Sequence, residues 1–246
     1  MIERIEGIVT DIVRHNDAHN VVTLYTRSRG RMAFLVTVGK SKGGRLRNSL
    51  LSLMAVVGAD VNIREGKELY TLRQVQPLRL WHGIYAHPLK SAILFFITEF
   101  CHRLLRQYPA DERLWQYITD SLETLDSCPA RRLANFHITF IVKMLPLVGV
   151  EPSDVVWSEG MVFDMLSGEM IDRDQSFFIR RRVLLSEPES EVVPLLSRIN
   201  FRNMHYFRFS RDERRRVVER LLGYYNLHLS LDTNFKSLPV LTEFFS

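Results

Sequence analysis

Apolar residues recur at every second place over roughly the first 76 positions and at every third or fourth place beyond residue 77, a change of period that divides the chain in two. Residues 6–14 are rich in Ile and Val, and residues 20–27 follow with Val, Thr, Leu and Tyr. Ser28, Arg29, Gly30 and Arg31 give a turn signal, after which Met32, Phe34, Val36 and Val38 alternate strictly, so a β-hairpin is predicted. A glycine-bearing loop over 39–48 leads to a long apolar run over 50–63. Residues 64–67 supply a turn and residues 68–76 a fifth strand. Five short strands with no connection long enough for a crossover helix predict a small antiparallel barrel of the OB type.

Pro77 marks the expected boundary between a barrel domain over 1–80 and a mainly helical domain over 81–246. Pro88 opens a helix whose inner face carries Leu89, Ile93, Phe96, Ile97, Phe100, Cys101, Leu104 and Leu105. Asp111 is placed to cap a second helix that buries Leu114, Ile118, Leu122 and Leu125. A third is expected from Pro129, with Leu133, Phe136, Phe140, Ile141 and Met144 inward, ending by Pro146 and Gly149. Residues 151–174 read as an inserted hairpin, with strands at MVFD and MIDR on either side of Leu166, Ser167 and Gly168. Helices resume near 189–198, and Ser210 caps a basic helix running from Arg211 to about Leu227. The expected class is therefore α+β.

Composition narrows the class of function. The chain has 246 residues, 46% of them hydrophobic, with no low-complexity tract and no internal repeat. No apolar run approaches the ~20 residues of a membrane span. The opening MIERIEGIV carries charges where a signal peptide needs its apolar core, so a cytoplasmic location is expected. Two cysteines, Cys101 and Cys128, do not make a disulfide framework. Charge is the uneven property. Residues 18–59 hold no Asp or Glu and seven cations: Arg27, Arg29, Arg31, Lys40, Lys42, Arg45 and Arg47. The whole chain carries +5, so the other 204 residues sum to −2. A solvated face is the plainer account of such a run. Clearing acids from four successive elements is what following a phosphate backbone requires, because each cation then releases a condensed counterion.

Several catalytic and metal motifs fail on inspection. GKS at 39–41 follows a strand as a P-loop would, but Phe34 stands where the pattern needs glycine. Zinc needs four ligands at chelating spacing, whereas the two cysteines stand apart and the eight histidines are scattered. His137 reads as a core or rim histidine, and Asp172 and Asp174 as part of a salt-bridged surface near Arg173. No Ser/His/Asp or Cys/His arrangement is legible, so no catalytic residue, cofactor or metal is assigned and the chain reads as a non-enzyme. Binding is what stands. In the loop GKSKGGRLRN the glycines admit close backbone approach and Lys40, Lys42, Arg45 and Arg47 supply charge. Tyr25 and Phe34 are the rings available for base stacking if they face outward. A second basic stretch, from Arg198 to Arg220, holds eight arginines interleaved with Phe201, Tyr206, Phe207 and Phe209, a pattern that suits nucleic acid and equally a docking surface between domains.

These residues carry a family resemblance. The opening EGIVTDIVRHNDAHNVVTLYTRSRGRMAFLV, followed by the basic GKSK, resembles the N-terminal barrel of the RecO family of bacterial recombination and DNA-repair mediators. The end, YYNLHLSLDTNFKSLPVLTEFF, is similar to the family's C-terminal pattern through His228, Lys236, Ser237, Leu238 and Leu241, and residues 136–149 are similar to the family's helix that ends at a Leu-Gly pair. The resemblance implies an OB-fold followed by a helical domain, binding of single- and double-stranded DNA, strand annealing, and a partnership with RecR and single-stranded DNA-binding protein that loads RecA, hence a place at the nucleoid. It also implies a site for the acidic, phenylalanine-ended tail of single-stranded DNA-binding protein, expected at Arg131, Arg132, Phe136 and Phe140. One departure matters: many relatives carry four zinc-ligating cysteines in the hairpin region, and residues 151–174 contain none. The reading from another class is an OB-type adaptor whose basic barrel binds an acidic protein or structured RNA.

Overall fold

The computed structural model describes residues 1–38, 50–64, 66–106, 108–153, 155–174 and 183–244. The chain divides into two compact units, Met1–Ser127 and Cys128–Ser246. In the first, β1 (Ile2–Arg14) pairs antiparallel on one side with β2 (His19–Thr26) and on the other with β4 (Val56–Asn62). Beyond β2 lies β3 (Gly30–Thr37), and beyond β4 lies β6 (Leu72–Arg79). β5 (Leu69–Tyr70) pairs with β3 in parallel, so the sheet runs β5-β3-β2-β1-β4-β6. The inward faces close on Ile5, Val9, Val22, Leu24, Phe34 and Val57, all essentially without solvent exposure.

The expected five-stranded antiparallel barrel is corrected here. The stretch read as one fifth strand breaks at Thr71 into β5 and β6, which belong to opposite edges of the sheet. One residue therefore joins the two edges, and the sheet curls until they meet while its hydrogen-bonded ladder stays open at that seam. The result is an OB-like sheet of six strands with one parallel pair. Three register shifts provide the curl: Thr10 is the extra residue of β1 between Val9 and Asp11, and β6 gains a residue at Leu78 and another near Gln74, whose φ is 47°. Pro77, expected to end the sheet, lies inside β6 opposite Val57. An edge strand tolerates it because one side of its backbone has no partner to lose. The apolar residues 50–55 turn rather than extend: Met54 has φ 60°, donates its N–H to the Val9 carbonyl at 2.7 Å and accepts the Trp81 indole N–H at 2.7 Å.

Among the described residues three helices follow the sheet in this unit: α1 (His82–Tyr85), α2 (Pro88–Leu104) and α3 (Glu112–Ser127). The stripe expected on α2 is buried from Ile93 onward, with Leu89 half-buried, and Asp111 caps α3, its carboxylate accepting the N–H groups of Arg113 (2.7 Å) and Leu114 (3.2 Å). Those bonds hold the Asp111 carboxyl below the usual carboxylate range.

The second unit is built on α4 (Phe136–Met144), nearly all of whose side chains are buried. The helix does not start at Pro129 as expected. Ala130–Arg132 form one isolated 3-10 turn, and Asn135 turns its amide away to other backbone groups, so Arg131 and Arg132 precede the helix instead of lying in its first turn. Packed with α4 are β7 (Met161–Asp164) and β8 (Glu169–Asp172) in the expected hairpin, α5 (Glu187–Ser190), α6 (Val193–Arg198), α7 (Arg211–Leu229) and α8 (Ser237–Glu243). Ser210 and Glu213 form a reciprocal capping box at the start of α7, and the Tyr225 hydroxyl of α7 donates to the Ile141 carbonyl at 2.6 Å.

The β2–β3 turn is held from outside by the segment before α3. The Tyr25 hydroxyl donates to the Pro109 carbonyl and accepts the Asp111 N–H, both at 3.1 Å. Gly30 has φ +67°, and a Cβ there would meet the backbone of Tyr108, Pro109 and Ala110 at 3.0–3.1 Å. Replacement Gly30→Ala is expected to lower stability by about 2–4 kcal/mol in denaturant unfolding, from the left-handed conformation and the crowding together. At Gly66, with φ +73° and nothing within 4 Å, alanine is expected to cost about 1 kcal/mol, from the backbone alone.

Candidate nucleic-acid interface

An arginine can meet a phosphate only if no carboxylate in the fold already occupies it. The residues singled out in the acid-free stretch separate on that criterion. Arg27 makes a two-pronged pair with Glu112, at 2.8 and 2.5 Å, and a further bond to Glu6 at 3.0 Å. Arg29 meets Glu3 through Nε at 3.0 Å and Nη2 at 2.6 Å. The bond from Arg29 holds the Glu3 carboxyl low and the bond from Arg27 does the same for Glu112; both guanidinium groups are raised in turn. The carboxylates come from β1 and α3, outside the acid-free stretch in sequence and against it in space. A phosphate arriving at either arginine would exchange for a carboxylate and release little counterion.

Arg31 differs. It is exposed at the start of β3 and has no ion-pair partner among the described residues. Its charge acts with that of Arg106, also exposed, on His102. Burial first, and then Arg31, Arg106 and Arg103, push the imidazole down against the pull of Asp11, whose carboxylate lies 3.9 Å away. Arg103 is paired with Glu99 at 2.6 Å, which leaves Arg31 and Arg106 as the uncommitted cations there. Arg106 was not legible as a site residue, because it closes an apolar helix some 75 residues further along the chain.

Tyr25 and Phe34 are not stacking platforms. Tyr25 is 1% exposed and Phe34 fully buried beside Tyr70, with ring centroids 6.2 Å apart. The alternation that placed Phe34 with Met32 and Val36 already put it on the inner face. Lys40, Lys42, Arg45 and Arg47 lie outside the described residues; the structure shows only how that stretch is tethered. The Val38 N–H donates to the Ala18 carbonyl at 2.7 Å, and the return is fixed at Met54 and Ala55 by their bonds with Val9. β2 and β3 pair from Thr26 with Gly30 to His19 with Thr37. At about 3.3 Å per residue the Arg27–Arg31 turn and the root of the basic loop stand roughly 23 Å apart, at opposite ends of the hairpin.

In the second unit Arg131 and Arg132 are exposed, whereas Phe136 and Phe140 are fully buried, Phe136 packing on Phe201 at 4.8 Å between centroids. These two rings form core and offer no slot to a partner's side chain. The apolar space of this unit lies elsewhere, in a cavity of about 610 Å³ lined by Val142, Leu145, Phe163, Leu196, Val217 and Tyr224 among others. His137 is buried, and burial, with Arg214 second, pushes its imidazole down to about 3. Cys101 is buried and its thiol is pushed up. Among the described residues no group of three His, Cys, Asp or Glu is gathered in metal-binding geometry, and no helix is long and apolar enough to cross a membrane.

Comparison with known proteins fits this arrangement. Residues 1–81 match the family described as recombination protein O, N terminal, and residues 86–155 the family described as recombination protein O, C terminal. A protein of Phocaeicola vulgatus named DNA repair protein RecO is 32% identical over 250 residues, with all of both chains covered. One of Bacteroides fragilis under the same name is 31% identical over 246 residues, again with all of both covered. One of Porphyromonas gingivalis is 27% identical over 245 residues, covering 97% of each.

The separation of paired from unpaired arginines is measurable. In binding to a single-stranded oligonucleotide over a salt series, Arg31→Ala is expected to flatten the plot of log affinity against log salt by about 0.7, the share of one phosphate. Arg29→Ala is expected to leave the slope unchanged.

Proposed function

The chain belongs to the RecO family of DNA repair proteins, and from that premise we propose that it acts as a non-enzymatic recombination mediator at the nucleoid. It binds single- and double-stranded DNA through the first unit, promotes annealing, and works with RecR to load RecA on DNA coated by single-stranded DNA-binding protein. One observation carries the DNA-binding part. The eleven residues 39–49 hold four cations and no acid, and they leave and re-enter the sheet at two backbone anchors, Val38 on Ala18 and Met54 on Val9. No carboxylate within those eleven residues competes for the four cations.

The partner assignments follow the same premise. Arg131 and Arg132 remain the proposed contacts for the carboxylates of the tail of single-stranded DNA-binding protein, supported by their exposure on a turn ahead of α4. Phe136 and Phe140 are not part of that proposal, because their rings are fully enclosed.

Replacement of Lys40 and Lys42 together by alanine tests the loop. Affinity for single-stranded DNA should fall alike for different sequences, and the salt slope should flatten by roughly 1.4, about 0.7 for each phosphate no longer met by a lysine. A folded double variant with the wild-type slope would remove the loop from the site. Structured RNA or an acidic protein that outcompetes DNA at equal charge would favour an adaptor instead.

A further inference from the structure

Tyr206 is the most exposed aromatic ring among the described residues, at 74% of its surface. Exposed single side chains are ordinary, but this one stands in a second stretch cleared of acids. Residues 192–211 contain no Asp or Glu and four arginines, Arg198, Arg202, Arg208 and Arg211. All four are exposed, and none has an ion-pair partner among the described residues. Of the other α7 arginines, Arg215 is paired with Glu219 and Arg220 with Glu189, Arg214 bonds the Phe209 carbonyl and the Asn135 side chain, and Arg216 is exposed.

The segment carrying Tyr206 is braced. The side chain of Asn135, 1% exposed, donates to the carbonyls of Met204 at 2.9 Å and Phe207 at 2.7 Å, one on each side of the exposed ring. Arg214 donates to the Asn135 amide oxygen at 3.2 Å and to the Phe209 carbonyl at 2.9 Å. Before it, the Asn203 amide donates to the Arg198 carbonyl at 3.0 Å, and the Asn200 side chain accepts the Arg202 N–H at 2.9 Å. Met204 is fully buried and anchors the turn. Tyr206 ends a 3-10 turn and Phe207 is extended; Phe207 and Phe209 are half-buried while Tyr206 and Arg208 are exposed. The Tyr206 ring lies on His205, with centroids 4.0 Å apart. A buried amide and two asparagines thus hold in place a turn whose outer surface is one ring among free guanidinium groups.

We propose that residues 198–211 form a second site for single-stranded nucleic acid, in which a base stacks on Tyr206 and the neighbouring phosphates meet Arg202 and Arg208. The ligand must be single-stranded, because a ring can take the face of a base only where that base is not stacked in a duplex. Rigidity of the turn lowers the entropy lost on binding. This inference rests on the nucleic-acid reading of the chain and adds a place and a contact type to it.

The test uses the full chain and oligo-dT. Tyr206→Ala is expected to weaken oligo-dT binding about 5- to 140-fold, the range for loss of one base–aromatic stack, with duplex binding and the salt slope unchanged. Tyr206→Trp should retain affinity and show its fluorescence quenched on binding. Arg202→Ala with Arg208→Ala should flatten the slope by about 1.4. If the wild-type chain binds oligo-dT and Tyr206→Ala binds it equally well, this site is refuted and the DNA-binding reading stands. If the wild-type chain binds neither oligo-dT nor duplex, both fall. Equal weakening of oligo-dT and poly-glutamate binding by Tyr206→Ala would mark an acidic-protein surface and overturn the assignment.

Discussion

The first unit depends on β1, which is paired along both edges and carries the sheet's inner face and its charge balance together. Ile5 and Val9 point into the core, while the carboxylates of Glu3 and Glu6 reach Arg29 and Arg27 at the β2–β3 turn. Pairing with β2 is fixed in register from Gly7 opposite Thr26 to Arg14 opposite Asn20, with one shift at Thr10. Slippage by one residue would turn the core residues to solvent. It would also part the acids from the arginines. Fold and electrostatics are thus set by the same register, and it is the register that determines which cations remain available for a ligand.

That dependence explains what reading the chain in order missed. Lys and Arg without acids over 18–59 look like one continuous surface. In space two of its arginines are claimed by carboxylates from β1 and α3. An acid three residues away is visible in sequence, whereas Glu112, 85 residues from Arg27, is not. Arg106 is the reverse case, a distant residue that the fold brings near Arg31 at His102. In the second unit the basic stretch 198–220 separates likewise into arginines committed to Glu189, Glu219 and the backbone and arginines left outside.

Much of the fold was legible because its signals are local. Strict alternation around Met32, Phe34 and Val36 identified β3; Ser210 marked the start of α7; the stripe from Leu89 to Leu104 identified α2; and MVFD with MIDR identified the hairpin. The signals that misled were also local but were overruled by partners far along the chain. Thr71 divides one apparent strand because its two halves have different neighbours, β3 and β4. Pro77 fails to end the sheet because it sits on an unpaired edge. Residues 50–55 are apolar without being a strand because Met54 and Ala55 are needed to bond Val9 and Trp81. Phe136 and Phe140 were expected to serve a partner and instead supply the core, as rings on a helix buried nearly all round do.

The account's central claim is that DNA is held by those cations the fold leaves without a carboxylate, and the sharpest test adds one rather than removing one. Glu3 is the carboxylate bonded to Arg29, so Glu3→Gln neutralises that partner while keeping the side chain's size. Binding of a labelled poly-dT oligonucleotide to wild type and Glu3→Gln would be measured by fluorescence across a salt series. The account predicts tighter binding by the variant at low salt and a slope steeper by about 0.7, the share of one further phosphate. An unchanged slope in a folded variant would contradict it.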